Sequence, residues 1–281
     1  MRSPVVATET LAPTPAPPLA APLRRDDRNG VALLVLDRPK SRNALSDAML
    51  AALSEALAAI AQDRSVRAVV LAAEGPVFCA GHDLKEMTAH RADPDRGRAY
   101  FADLLGRCAG VMQAIVRLPQ PVIAAVQGTA TAAGCQLVAS CDLAIAAADA
   151  RFCTPGVSIG LFCSTPMVAL SRAVASKHAM EMLLTGDLIG AEDALRFGLI
   201  NRIVAPGAER DEALALAGRI ADRSAVAIRF GKAAFYRQRE LPLAEAYQYA
   251  AEVMTENMLS RDAEEGIGAF VEKRTPRWED R

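Results

Sequence analysis

Pro121-Val-Ile-Ala-Ala-Val-Gln-Gly-Thr-Ala-Thr-Ala-Ala-Gly-Cys-Gln136 is the stretch on which the reading of the fold turns. Its first six residues are a short, unbroken apolar run, the pattern of a strand buried on both faces. The strand is expected to end at Gly128, and small residues then carry the chain into a helix opening around Ala132. N–H groups at a helix start have no partner inside the helix, and the helix dipole adds positive potential beside them. Val77-Phe-Cys-Ala-Gly-His-Asp-Leu-Lys-Glu-Met87 repeats the arrangement: a strand, a tight turn at Ala80 and Gly81, then a helix from Leu84. Asp83 and Glu86 stand in D-x-x-E spacing, which predicts an N-cap and its reciprocal cap. The turn leaves the His82 N–H free. Two such donors aimed at one point make an oxyanion hole, although strand–turn–helix units more often serve packing alone.

Outward from these turns, Val31–Leu36, Arg67–Ala73 and Leu143–Ala146 read as further buried strands. Ser46 offers an N-cap to a helix whose Met49, Leu50, Leu53, Leu57 and Ile60 share one face. From Tyr100 to Leu118, apolar residues at three- and four-residue spacing predict a long amphipathic helix ended by Pro119. Beyond about Ser164 the pattern is almost wholly helical, with segments at 167–175, 178–184, 191–197, 209–222 and 226–238 and a final pair ending near Lys273. Strands interleaved with helices, followed by helices alone, predict an α/β fold.

The 281 residues suffice for a sizeable core, and 52% hydrophobic with 23% charged residues is a globular composition. A net charge of -1 gives no reason to expect nucleic acid or an anionic membrane as partner, and no apolar run reaches the ~20 residues of a membrane helix. The six cysteines form no C-x-x-C pair and the three histidines are scattered, so neither a disulfide framework nor a metal site is expected. Nucleotide-binding G-x-G-x-x-G and phosphate-binding Walker motifs are absent. Six of the 16 prolines lie between Pro4 and Pro22, so residues 1–25 are read as a disordered tail. A mitochondrial transit peptide is the alternative, disfavoured because the segment is proline-broken and contains Glu9. The expected compartment is therefore cytoplasmic, with the mitochondrial matrix second.

Gly75 to Met87 and Pro121 to Asp142 resemble the first two signatures of the crotonase (enoyl-CoA hydratase/isomerase) superfamily. Phe152–Gly160, Leu184–Leu199, Glu264–Arg274 and Leu36-Asp-Arg-Pro-Lys-Ser-Arg-Asn-Ala-Leu45 are similar to its remaining motifs, so the likeness runs from about Asp27 to the C-terminus. The runs Ala130–Asp142 and Gly160–Pro166 look closest to one branch, the enoyl-CoA hydratase domain-containing protein 3 group. The resemblance implies a crotonase-like spiral of ββα units over residues 26–205 and a C-terminal helical trimerisation region over 206–281. It also implies a homotrimer or dimer of trimers, an acyl-CoA thioester as ligand, no cofactor beyond coenzyme A itself, and a place in fatty-acid metabolism.

By motif position the two oxyanion N–H groups fall on His82 and Ala133, the histidine through its backbone rather than its imidazole. Lys40, Arg42 and Ala44 match the segment that lines the coenzyme A groove, Ala80, Asp83 and Leu84 its adenine and pantetheine side, and Phe270 and Lys273 a helix that completes the pocket, often from a neighbouring subunit. The acid/base glutamates of a hydratase are replaced by Gln136 and Gly156. A carboxamide has no usable pKa and glycine has no side chain, so hydration of a 2-enoyl-CoA is expected to be weak or absent. A lyase, decarboxylase or other thioester enzyme relying on enolate stabilisation is one alternative; a non-catalytic scaffold or acyl-CoA sequestering protein is another. Asp142 is expected to buttress the next strand, Cys153, Cys163 and Ser164 to serve packing, and His90 to lie on the surface. A Gln136→Glu, Gly156→Glu double variant is expected to gain crotonyl-CoA hydration.

Overall fold

A computed structural model describes residues 21–281. In chain order the elements are β1 (Leu23–Arg28), β2 (Val31–Leu36), α1 (Asp47–Gln62), β3 (Ala68–Ala73), β4 (Val77–Cys79), α2 (Leu84–Ala89), α3 (Arg98–Arg117), β5 (Val122–Val126), β6 (Thr129–Thr131), α4 (Ala133–Ser140), β7 (Leu143–Ala147) and β8 (Arg151–Cys153). There follow α5 (Pro166–Ala173), α6 (Ser176–Thr185), β9 (Ile189–Gly190), α7 (Ala191–Phe197), β10 (Arg202–Val204), α8 (Glu209–Ala221), α9 (Ala225–Gln238), α10 (Leu243–Met258) and α11 (Arg261–Val271). Among the described residues no helix is long and apolar enough to cross a membrane.

The strands form two sheets, one ordered β1-β2-β3-β5-β7-β10 and a smaller one ordered β4-β6-β8-β9. Each turn of the chain gives a long strand to the first sheet, a short strand to the second, and then a helix: β3, β4, α2; β5, β6, α4; β7, β8, α5. This is the expected ββα spiral. Strand period explains the layering. Ala32, Leu34 and Leu36 of β2 and Val69, Leu71 and Ala73 of β3 face a core shared with α1, α3 and α4. The alternate residues Val31, Ala68, Val70 and Ala72 face a second core made with Ala213, Ala217 and Ala221 of α8. Small residues on α8 let that helix lie close to the sheet.

The α1 face is as expected, with Met49, Leu50, Leu53, Leu57 and Ile60 buried and Ser46 Oγ accepting from the Met49 N–H at 3.2 Å. Two boundaries need correction. Leu23 to Arg25, assigned above to the tail, belong to β1, an edge strand antiparallel to β2. Its charged side chains form surface pairs, such as Arg24 with Asp37 and Glu74 at 2.7 Å each, which suits an exposed edge. The remainder of the assigned tail, 1–20, lies outside the described residues. The division at 205/206 is not where packing changes either, because α8 covers the sheet and belongs to the core.

Candidate functional site

Glycines bring the two turns together. A Cβ on Gly134, in the first turn of α4, would lie 2.2 Å from the Cys79 carbonyl oxygen, so only glycine lets α4 rest on the end of β4. Gly81 has φ +84°, and a Cβ there would lie 3.0 Å from Ala132 Cβ and 3.2 Å from the Ala133 nitrogen. The His82 turn and the start of α4 are thus in contact. Ala132 holds φ 51° and ψ −119°, a region costly for a residue with a Cβ, and its N–H is tied to the Cys153 carbonyl at 3.0 Å. The neighbouring strand β8 therefore holds the strained residue that aims the Ala133 N–H. Among the described residues neither the His82 nor the Ala133 N–H has a backbone acceptor. One of these two amides stands at the N-terminus of α4 and the other in the turn that touches it.

The side chains around them carry little charge. His82 is half-buried, its Nε2 lies buried without a partner among the described residues, and burial lowers its pKa below the ordinary 6.5, leaving the ring neutral near pH 7. Gln136 is 4% exposed and its Oε1 is also unpartnered. An orphaned buried acceptor costs ~1–3 kcal/mol, which a bound donor would recover. The His82 shift has a sign. Below the ordinary value of 6.5 the unfolded chain takes up a proton that the folded ring resists, so this group removes stability as pH falls and contributes nothing above it. Thermal melts from about pH 7 to about pH 5 should therefore show a smaller fall in Tm for His82→Gln than for the parent. An equal fall in both proteins would mean the imidazole does not resist protonation.

Asp83 caps α2 as expected, accepting from the Lys85 N–H at 2.9 Å and the Glu86 N–H at 3.4 Å. The reciprocal half of the capping box is not formed. Glu86 instead accepts from the Asp47 N–H at 3.0 Å, at the first turn of α1, where another orphan amide is in reach. Gly156 sits in the short 3-10 helix Pro155–Ile159 and has no room for a side chain: a Cβ would lie 2.8 Å from the Leu161 carbonyl oxygen and 2.9 Å from Cys163 Sγ. The Gly156→Glu half of the double variant expected above is therefore not accommodated.

Cys153 and Cys163 are buried, burial raises both thiol pKa values, and Cys153 Sγ lies 3.1 Å from Thr131 Oγ1, all in keeping with packing. Ser164 is exposed and donates to the Phe162 carbonyl at 3.3 Å. His90 stacks on Tyr100 with ring centroids 3.6 Å apart and pairs with Asp93 at 2.8 Å on the surface. Asp142 buttresses β5, accepting from the Val122 N–H at 2.7 Å.

On the expected coenzyme A side, Lys40 and Arg42 are exposed and Ala44 and Ala80 half-buried, while Leu84 is 52% exposed. Their loop is joined directly to the His82 turn, with Ala80 N–H donating to the Arg42 carbonyl at 3.0 Å and Leu45 N–H to the Gly81 carbonyl at 2.7 Å. Asn43, which the sequence reading missed, anchors the same loop. Fully buried at φ 51°, it accepts from the Arg38 N–H at 2.8 Å and donates to the Glu74 and Val77 carbonyls at 2.9 and 2.8 Å. The available signal was an asparagine between turn residues and an apolar helix face, since asparagine tolerates positive φ. Phe270 and Lys273 are not brought to the two turns by this chain: they lie exposed at the end of α11, which packs on α9 and α10.

A sequence profile described as enoyl-CoA hydratase/isomerase matches residues 26–281. The enoyl-CoA hydratase domain-containing protein 3, mitochondrial, of Rattus norvegicus is 46% identical over 94% of this chain and 87% of its own length. A solved enoyl-CoA hydratase of Mycobacterium smegmatis is 56% identical, covering 92% of this chain and 98% of that one with a TM-score of 0.87. The human enoyl coenzyme A hydratase domain-containing protein 3 structure is 46% identical, covering 92% and 100% with a TM-score of 0.87.

Proposed function

We propose, since the chain belongs to the enoyl-CoA hydratase/isomerase family, that it binds an acyl-CoA thioester and polarises its carbonyl between the backbone N–H groups of His82 and Ala133, without the carboxylate pair that hydration requires. The observation that carries this reading is the contact of the two turns, in which Gly81 lies against the Ala133 nitrogen and neither amide is used internally. Oxyanion donors act where charge develops on the carbonyl oxygen, and each is worth ~10²–10³ in rate. They stabilise an enolate whichever bond to Cα is broken. Moving the proton of a hydration is a separate task, and Gln136 and Gly156 cannot perform it. Lys40, Arg42, Ala44, Ala80, Asp83 and Leu84 are assigned to the coenzyme A side of the site, Asp83 through the helix it caps.

Phe270 at 85%, Leu259 at 77% and Leu243 at 76% exposure leave an apolar surface on the C-terminal helices that a second copy would cover. Trimeric assembly, with Phe270 and Lys273 reaching a neighbour's pocket, is the arrangement proposed. The word mitochondrial in the rat relative's name supports the matrix alternative over the cytoplasm.

Calorimetry with coenzyme A and butyryl-CoA, infrared difference spectra of the bound thioester, and a crotonyl-CoA hydration assay test the reading together. Butyryl-CoA is expected to bind with its carbonyl stretch moved to lower frequency. Hydration is expected to be slower by ~10⁴ or more than with a paired-glutamate site, since each positioned acid or base supplies ~10²–10⁴. Hydration at an ordinary kcat of ~1–10³ s⁻¹ would overturn the reading. Decay of a malonyl-type or β-ketoacyl thioester in the same screen would identify the enolate-dependent alternative.

A further inference from the structure

Gly156 is not in the left-handed region, so space, not backbone conformation, requires the glycine. Its absent Cβ would meet the Leu161 carbonyl oxygen at 2.8 Å, Cys163 Sγ at 2.9 Å and the Cys163 nitrogen at 3.2 Å. Two of these three atoms are backbone and cannot rotate aside. The crowding segment is itself held in place. Leu161 N–H donates to the Gly156 carbonyl at 2.9 Å, Gly160 turns the chain at φ +78°, and Met167 N–H donates to the Cys163 carbonyl at 2.9 Å, joining the segment to α5.

The segment follows the strand that touches the start of α4. β8, which leads into it, pairs with β6, and Cys153 accepts the Ala132 N–H through its carbonyl. Cys135, in the first turn of α4, is buried as well. Its neighbour Gln136 is 4% exposed, with an Oε1 that has no partner among the described residues.

We infer that Leu161 to Cys163 form a rebuilt wall in the volume a second acid/base side chain would occupy, and that Cys163 is a specificity-determining residue facing the acyl group near its β-carbon. This rests on the acyl-CoA reading above and gives the substrate class a shape: a coenzyme A thioester with an acyl chain slim at Cβ. The loss of the second carboxylate is then a property of a folded segment, and residue 156 alone cannot reverse it.

The test uses the full chain with coenzyme A, butyryl-CoA and its β-branched analogue 3-methylbutyryl-CoA. The parent is expected to bind the unbranched thioester roughly tenfold more tightly, the usual discrimination for one methyl group against a packed wall. In Cys163→Ala that ratio should fall at least about threefold, with affinity for coenzyme A itself unchanged. An unmoved ratio overturns the inference and leaves thioester binding standing. Failure of the parent to bind any of the three overturns the acyl-CoA reading and this inference with it. Independently, Gly156→Ala is expected to lower Tm by about 4 °C or more through overpacking, and a parental Tm would show that the segment yields.

Discussion

Lys232→Met should lower unfolding free energy by about 3–5 kcal/mol, the cost of removing one member of a buried ion pair. Lys232 Nζ, on α9, donates to Asp142 Oδ2 at 2.6 Å and to the Ile115 and Gln120 carbonyls at 3.0 and 2.9 Å. The side chains of the pair are only 6% and 15% exposed, so solvent screens little of the interaction. Burial pulls the lysine pKa down, and Asp142 opposes that pull. Asp142 also accepts from the Val122 N–H at 2.7 Å and from Tyr236 Oη at 3.0 Å. With the amine gone, a desolvated carboxylate and two carbonyls lose their cation at the point where α3 ends and β5 begins. Urea unfolding followed by circular dichroism measures the effect, with the exposed Arg196–Asp193 pair (65% and 46%) as control. Arg196→Ala should cost under about 0.5 kcal/mol. Equal losses in the two variants would show that α9 is not fastened to the core through Lys232.

Asn43→Ala is expected to cost about 3 kcal/mol or more and to weaken butyryl-CoA binding as well. One side chain satisfies the Arg38 N–H and the Glu74 and Val77 carbonyls, and each buried group left unpaired costs ~1–3 kcal/mol, with incomplete additivity. The loss has a functional side because the segment it anchors carries Lys40, Arg42 and Ala44 and bonds directly to Gly81 through Leu45. Asn43→Asp separates the contributions. It keeps the acceptor for Arg38 but removes both donors and sets a buried charge against two carbonyls, so it should be no more stable than the alanine variant. Thermal melts and calorimetry on the three proteins check this. An Asn43→Ala protein within about 0.5 kcal/mol of the parent would leave the junction without energetic weight.

Local signals accounted for the elements whose reasons are local. Val31–Leu36 is apolar throughout and is buried between two layers; the α1 and α3 faces repeat with helical period and are the faces that pack. Asp83 was readable as a cap because a cap acts within one turn of its own chain. The short strands β6 and β8 were not separated from their turns. Three residues each carry too little periodicity, and they are strands only because each lies beside another that is distant in sequence. Glu86 shows the same limit in one side chain: its spacing pointed to Asp83, and the fold offered it the Asp47 amide instead.

By itself the sequence determined that this is an α/β chain of the enoyl-CoA hydratase/isomerase family, that amides at His82 and Ala133 are available, and that Gln136 and Gly156 carry no acid. These are matters of residue identity and short-range pattern. Tertiary structure alone decided that the two turns touch, that Asn43 ties the loop at Lys40 to the carbonyls of Glu74 and Val77, and that Leu161 and Cys163 fill the space beside Gly156. Contact between segments far apart in the chain depends on how closely two backbones approach, and that distance is set by packing, which no local pattern encodes.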